Sequence, residues 1–488
     1  MKKLFSFIII IYCFQIKAQH NDNVWLIGYN YCNGCAKSAL DFTYGHPDTV
    51  GIYSPLPMMA TNSSICDSNG LLQFYTNGIL VANKYGQLLS GSNGFNYDTS
   101  VTTFGWSVYM PYYQCAISVP FPGRVGQYCL FHLSGRDWNS SNFIQPCRMG
   151  YSIIDMNANG GAGEMISQNQ TAIDDTLLYS TMQAVKHANG IDWWIVAHEF
   201  NSSGMYAALL TTDSIVSIVH SLTGPFIRKG ISVGQSKFSP DGNKFAIASR
   251  DSSLLYLYRF NRCSGEFTFD TLIRHNYNSS GYNLASCAFS PNSRYLYASD
   301  HLKIYQYDTD VPDIPASEKV VGSNNGNAIY YFKLNNAPDG KIYISTWGSS
   351  QYLHVINDPD QPDTACHFVS QQQKIIYYSS SIPDFPNFQL NALPDSTCDS
   401  LMSNFETINN LSAELHVFPN PSSGKFTFDL TRNEKINELI ITDLMGKRIP
   451  FKRRDNEIDL SDFPDGPYFF SIQTETGVVL SGSLLKIE

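Results

Sequence analysis

The chain has 488 residues, with 43% hydrophobic residues, only 15% charged ones and a formal net charge of −10. That length exceeds one ordinary compact domain, and the apolar fraction suffices for substantial cores. The acidic balance excludes backbone-driven nucleic-acid binding, which needs clustered Lys and Arg. The 30 Tyr, 30 Phe and 34 Gly suit pleated surfaces joined by tight turns, the composition of an all-β protein.

The N-terminus reads as a signal peptide over residues 1–19. Lys2 and Lys3 form a charged start, Leu4 to Phe14 an apolar core, and Ala18-Gln19 a cleavage point. The apolar run falls short of the ~20 residues a membrane-spanning helix needs. Cys13 would leave with this segment, so ten of the eleven cysteines remain, an even number that suggests disulfides in an exported chain. Cys32-Asn33-Gly34-Cys35 is a CxxC without a redox-type helix after it and without a second CxxC, which favours a pinned loop over a redox or metal site. Cys366 and Cys398 are the expected pair, a bond that would hold the closing segment.

A repeat occupies the middle of the chain. Phe238-Ser239-Pro240-Asp241-Gly242 leads into Asn243 to Ala248. Phe289-Ser290-Pro291-Asn292-Ser293 leads into Arg294 to Ala298, and Asn336-Ala337-Pro338-Asp339-Gly340 into Lys341 to Ser345. The prolines are 51 and 47 residues apart. Each copy is a tight turn, an alternating strand and a second strand, at the period of one four-stranded propeller blade. Fainter copies lie at Asp67 to Tyr75, Phe121 to Phe131 and His187 to Val196. The reading is a β-propeller over residues 22–395 with seven blades, six or eight remaining open, and with the segments before residue 66 and after residue 366 sharing a closing blade.

These blocks resemble the repeats of WD40- and TolB-type propellers, in which a strand follows a Phe-Ser-Pro-Asp-Gly turn. Trp25 to Tyr29, Asn69 to Gly78 and Pro383 to Phe388 are similar to segments of secreted Bacteroidota propeller proteins. That resemblance implies an export route and a fold, but no activity.

Residues 396–412 read as a polar linker, and residues 413–488 as a small Ig-like β-sandwich. Val417-Phe418-Pro419-Asn420-Pro421 precedes Gly424; Asp443, Gly446 and Lys447 follow, then Gly466 and Tyr468, and Lys486 near the end. This ordered set resembles the type A sorting domain of type IX secretion. The resemblance implies passage across the outer membrane, a secreted or cell-surface location, and the secretion machinery as partner, with surface lipopolysaccharide as a further one. The run Lys452-Arg453-Arg454 lies beside Asp455 and Glu457 and reads as a solvated hairpin tip.

Catalytic motifs do not assemble in the sequence. His198-Glu199 lacks the second His of HExxH, since Ser202 holds that place, and the run before it reads as strand. Asp358 to Asp363 lacks the spacing of a calcium loop. The expectation is therefore a non-enzymatic binding or adhesion propeller without cofactor or metal, its ligand a glycan, a protein or another envelope component. The alternative is a polysaccharide-acting enzyme with carboxylates on the propeller loops.

Overall fold

The computed structural model describes residues 20–28, 36–96, 110, 112–137, 144–227, 234–250, 252–275, 284, 286–324, 330–348, 350–379, 381–393, 398, 415–430, 436–443, 448–474 and 479–487. The signal segment 1–19, Cys32 and Cys35, Gly446, Lys447 and most of the 396–412 linker lie outside the described residues. The chain divides into two compact units, 1–399 and 400–488.

The first unit is all-β, a propeller of antiparallel sheets in which each strand pairs with its chain neighbour. Sheet 1 comprises Val24–Ile27, Ala36–Asp41 and Asp48–Tyr53; sheet 2 comprises Ser63–Cys66, Leu72–Thr76 and Val81–Asn83. Five four-stranded sheets follow. They run from Ala116 to Ile173 (sheet 3), Gln183 to Ile227 (sheet 4), Gly234 to Arg274 (sheet 5), Ser286 to Ser323 (sheet 6) and Tyr330 to Ser379 (sheet 7). First strands of successive sheets lie side by side from sheet 1 through sheet 7. The last strand of sheet 7, Phe368–Ser379, packs on sheet 1, closing the ring. There Ser38 Oγ accepts from Tyr377 N at 2.7 Å, and Thr49 Oγ1 donates to Lys374 O at 3.0 Å. Among the described residues no sheet is shared between the two ends of the chain: the strands of residues 24–53 pair among themselves, and Phe368–Ser379 is the fourth strand of its own sheet.

First strands are buried along their whole length in sheets 2, 4 and 6, because a radial sheet has a neighbour against each face. Core residues such as Phe245, Tyr258, Tyr297 and Tyr307 fill the spaces between sheets.

The second unit holds two sheets. One pairs Leu415–Phe418, Lys425–Leu430, Glu457–Asp459 and Lys452–Arg454; the other pairs Ile436–Thr442, Gly466–Thr474 and Val479–Lys486. Phe426, Phe428 and Ile458 from one sheet share a core with Ile441, Phe470 and Leu484 from the other. Phe428 and Phe470 meet edge to face at 5.0 Å. The basic run at 452–454 is an exposed hairpin strand, with Lys452 paired to Asp462 at 3.2 Å.

Candidate functional site

A propeller leaves the inner edge of each first strand without a strand partner, so its N–H and C=O groups need other partners. Here side chains from elsewhere in the unit supply several of them. Gln114 faces Ser236 as a strand would: its Oε1 accepts from Ser236 N at 2.8 Å and its Nε2 donates to Ser236 O at 2.9 Å. Gln235 does the same for Leu334, at 3.1 and 2.7 Å. Lys333 Nζ donates to Gly234 O at 3.0 Å and lies 4.5 Å from the Tyr113 ring. Burial pushes the Lys333 amine down to about 8, with Asp384 opposing.

The segment after sheet 7, residues 381–393, crosses the turn-side end of this channel. Asp384 is its anchor. The carboxylate pairs with Lys237 Nζ at 3.0 Å and accepts from Gln114 Nε2 at 3.3 Å, while its backbone N donates to Asn62 O at 3.0 Å. Lys237 also donates to Asn335 Oδ1 at 2.7 Å, and Asn335 Nδ2 to Pro383 O at 3.1 Å. Both charges of the pair are 5% exposed. A pair this deep is viable only with its remaining hydrogen-bonding capacity filled, as these amides do. Further along, Arg262 donates to the carbonyls of Lys186, His187 and Asn391.

A disulfide fixes the end of this segment, but not the expected one. Cys398 bonds Cys263, with Cα atoms 5.7 Å apart, and Cys366 is a free buried thiol. Cys366 belongs to the core between sheets 6 and 7. Cys263 is half-buried in the link between the third and fourth strands of sheet 5, where the crossing segment arrives.

Above the Lys237–Asp384 pair lies a cleft of about 250 Å³ at the mouth. Asp22, Gln183, Lys237 and Asn335 offer polar groups to it, and Phe238 and Phe385 form apolar wall. Burial pushes the Asp22 carboxyl up to about 7. A second, more open groove of about 1,160 Å³ runs between the first turns of sheets 2 and 3, past Leu71, Tyr85 and Arg124. Arg124 is already committed there, stacked 4.0 Å from the Phe121 ring and donating to Thr212 O.

The other chemical candidates resolve into structure. His198 ends a buried strand and its Nδ1 bonds the Glu199 carbonyl at 2.6 Å; no helix carries the pair. Glu199 accepts from Ser202 Oγ at 2.7 Å and bonds His220 Nε2 at 3.0 Å. In the acidic run, Asp358 pairs with His367 and Asp360 accepts from Asn292 N. Among the described residues, no three metal-type side chains cluster closely enough to share an ion.

In the second unit, motif residues far apart in sequence meet. Asn420 Oδ1, between Pro419 and Pro421, accepts from Leu485 N at 2.8 Å. Ser422 N donates to Leu485 O, and Ile487 N to Ser422 O. Buried Lys486 pairs with Asp465, beside Gly466, while Tyr468 Oη donates to Pro464 O at 2.6 Å. Gly424 O accepts from Leu460 N at 2.7 Å. Asp443 directly follows the strand Ile436–Thr442.

Lys237, Gln114, Gln235, Gln183 and Asp22 carry no motif in the sequence, while Asp384 lies inside the Pro383 to Phe388 segment, whose resemblance gives it no role. The available signal was the polar residue at one position of a buried first strand: Lys237 and Asn335 each precede the first residue of a repeat block.

A comparison with curated protein sequences finds no match. Among solved structures, a candidate 6-phosphogluconolactonase from Bacteroides uniformis is 14% identical at a TM-score of 0.44, covering 74% of this chain and 99% of its own. The periplasmic gluconolactonase PpgL of Pseudomonas aeruginosa is 10% identical at 0.39, covering 75% and 99%. The Dos1 propeller is 10% identical at 0.38, covering 66% and 72%. Residues 416–485, the stretch in which the Pro-Asn-Pro segment meets the terminal strand, match the family described as the secretion system C-terminal sorting domain, and that tail implies export by type IX secretion.

Proposed function

We propose that the mature protein is a non-enzymatic binding propeller, displayed on the cell surface or released, with the 413–488 domain as its delivery address. The sorting-domain match supports the address and the secretion machinery as its partner. Surface lipopolysaccharide is the further partner this reading expects. The observation that carries the binding role is the Lys237–Asp384 pair: the charges at the channel mouth neutralise each other inside the protein and hold its walls in place. A preformed concave mouth with fixed polar groups suits recognition of a glycan or another envelope component.

One observation favours the alternative, a polysaccharide-acting enzyme. Asp22 faces the cleft with its carboxyl raised to about 7, the range of a general acid. A glycan array run beside a hydrolysis screen separates the two. Retention of glycans without release of new reducing ends is the expected result; release of reducing ends that disappears in Asp22→Asn overturns it.

A further inference from the structure

The cleft at the channel mouth holds two polar atoms that the protein leaves unanswered. Gln183 is 1% exposed, yet its Nε2 has no acceptor among the described residues. Asp22 Oδ1 is buried in the same cleft wall and likewise has no donor. A buried polar atom without a partner costs about 1–3 kcal/mol, so two on one small cleft call for an explanation. Their chemistry is opposite: an amide N–H that must give a hydrogen bond, and a carboxyl oxygen that can take one.

The remaining surroundings narrow the partner. Lys237 is balanced by Asp384 and already donates to Asn335, so it offers no net positive charge to an anion. An anion would also meet the Asp22 carboxyl. A purely apolar ligand would leave both orphan atoms buried. Phe238, Phe385 and Pro338 give the cleft apolar wall that suits the C–H face of a ring. A hydroxyl group both gives and accepts, which answers Gln183 and Asp22 with one kind of group. The volume, about 250 Å³, lies just below the ~300–1,000 Å³ of drug-sized sites and suits a single small ring.

We propose that this cleft binds one neutral sugar residue, its hydroxyls held by Gln183 and Asp22 and its ring lying on Phe238 and Phe385. The assignment rests on the binding reading above and names the ligand class for it. The test is calorimetric titration of the mature full chain with D-glucose, D-galactose, D-mannose, N-acetyl-D-glucosamine, L-fucose and D-xylose. D-glucuronate and glucose 6-phosphate serve as charged probes. At least one neutral sugar should bind at millimolar concentration or below. Gln183→Leu should weaken it by about tenfold or more, the loss of one buried hydrogen bond. Because Gln183 is buried, Gln389→Trp provides a second variant: Gln389 is exposed on the rim, so its replacement occludes the cleft without touching the core. It should abolish binding while leaving the melting temperature unchanged. No neutral sugar bound, tighter binding of either charged probe, or binding unchanged in Gln389→Trp overturns the site. If an array glycan is retained equally by wild type and both variants, the cleft assignment falls and the binding role survives elsewhere. If aryl glycosides are hydrolysed and Gln389→Trp stops it, the sugar site stands and the non-enzymatic role falls.

Discussion

Sheets 5 to 7 and sheets 2 to 4 each close a short turn after their first strand, spanning four to six residues, yet they build it from different residues. In sheet 5, Ser239 N donates to Lys244 O, and Ser239 Oγ accepts from Lys244 N at 2.9 Å. In sheet 6, Ser290 holds Tyr295 in the same two ways. In sheet 2, Asp67 takes this place: its N donates to Leu71 O, and its carboxylate accepts from Asn69 N and Leu71 N. In sheet 4, His187 N donates to Asp192 O while Asn189 Oδ1 accepts from Ile191 N and Asp192 N. A turn needs an acceptor at the right place rather than a particular letter. The copies are most alike in sheets 5 and 6, where Ser239 and Ser290 supply that acceptor; sheet 7 has Ala337 at this place and takes its acceptor from Asp339 Oδ1, bonded by Lys341 N at 3.2 Å. The halves differ more in what they carry. The crossing segment takes its buried ion pair, its disulfide and the carbonyl of Pro240, bonded by Asn387, from sheet 5. From the earlier part of the unit it takes backbone contacts with Asn62 and Ala188 and the amide of Gln114.

Acid is the largest perturbation and asks whether the two halves are one folding unit. Burial, with Arg148 nearby, lowers His132 of sheet 3 to about 3. Burial lowers His198 of sheet 4, His301 of sheet 6 and His354 of sheet 7 each to about 4. These histidines are neutral in the fold and charge at about 6.5 once unfolded. The stability they provide is complete above pH ~6.5 and is lost as pH falls from there to about 4. Asp22 works the other way, keeping a proton in the fold up to about 7 that the unfolded chain releases near 3.8. Three net protons at about 1.4 kcal/mol per pH unit give a loss of about 4 kcal/mol per unit between pH 6 and 4. That exhausts a typical stability within this range. Circular dichroism against pH should show one transition. Two separated transitions would show that sheets 2 to 4 and sheets 5 to 7 open independently.

Removing the disulfide comes next. Cys398→Ser frees a link that closes 135 residues of separation, worth about 5 kcal/mol in the chain-entropy model. The same reasoning places the cut between the units after residue 399 rather than at 395, since a chain ending at 395 lacks Cys398. Urea unfolding of residues 20–399 and 20–395 should differ by roughly this amount; equal midpoints would show that the bond does not hold the closing segment.

Lys237→Met leaves Asp384 buried beneath the cleft without its cation, at a cost of about 3–5 kcal/mol. The double variant Lys237→Met, Asp384→Leu should recover part of that loss. A double variant as unstable as the single one would contradict the pairing.

How much of this was legible follows from sequence distance. The Ser239 turn and the strand after it span a few residues, so local chemistry announces them, and the all-β fold with them. The sorting motifs were legible as an ordered set, although the meeting of Asn420 with Leu485 was not. The channel was not legible because its partners are remote: Gln114 and Ser236 are 122 residues apart, and nothing in either neighbourhood names the other. Cys366 illustrates the same limit. The need to hold the closing segment suggested it for Cys398, while the course of residues 381–393 delivered Cys398 to sheet 5.

The smallest effect gives the sharpest comparison, because it sets two copies of one turn against each other. Gly242 and Gly340 hold the same repeat position, with φ of +76° and +78°. A side chain at such φ costs about 1–2 kcal/mol from local crowding alone. At Gly340 a Cβ would meet nothing within 4 Å, so Gly340→Ala should cost only that. At Gly242 the Cβ would lie 2.8 Å from Arg262 Cδ, 2.9 Å from Leu390 Cδ2 and 2.9 Å from Val185 Cγ2. Leu390 belongs to the crossing segment, and Arg262 bonds its Asn391 carbonyl. Gly242→Ala must therefore push the segment outward as well as strain the turn, adding about 1–3 kcal/mol of overpacking. Denaturant titration should place Gly242→Ala below Gly340→Ala by that margin. In the form lacking Cys398, where the segment is freer to move, the margin should shrink. A margin that persists unchanged would mean that the crowding is absorbed within sheets 4 and 5, and that the segment does not rest on the sheet 5 turn.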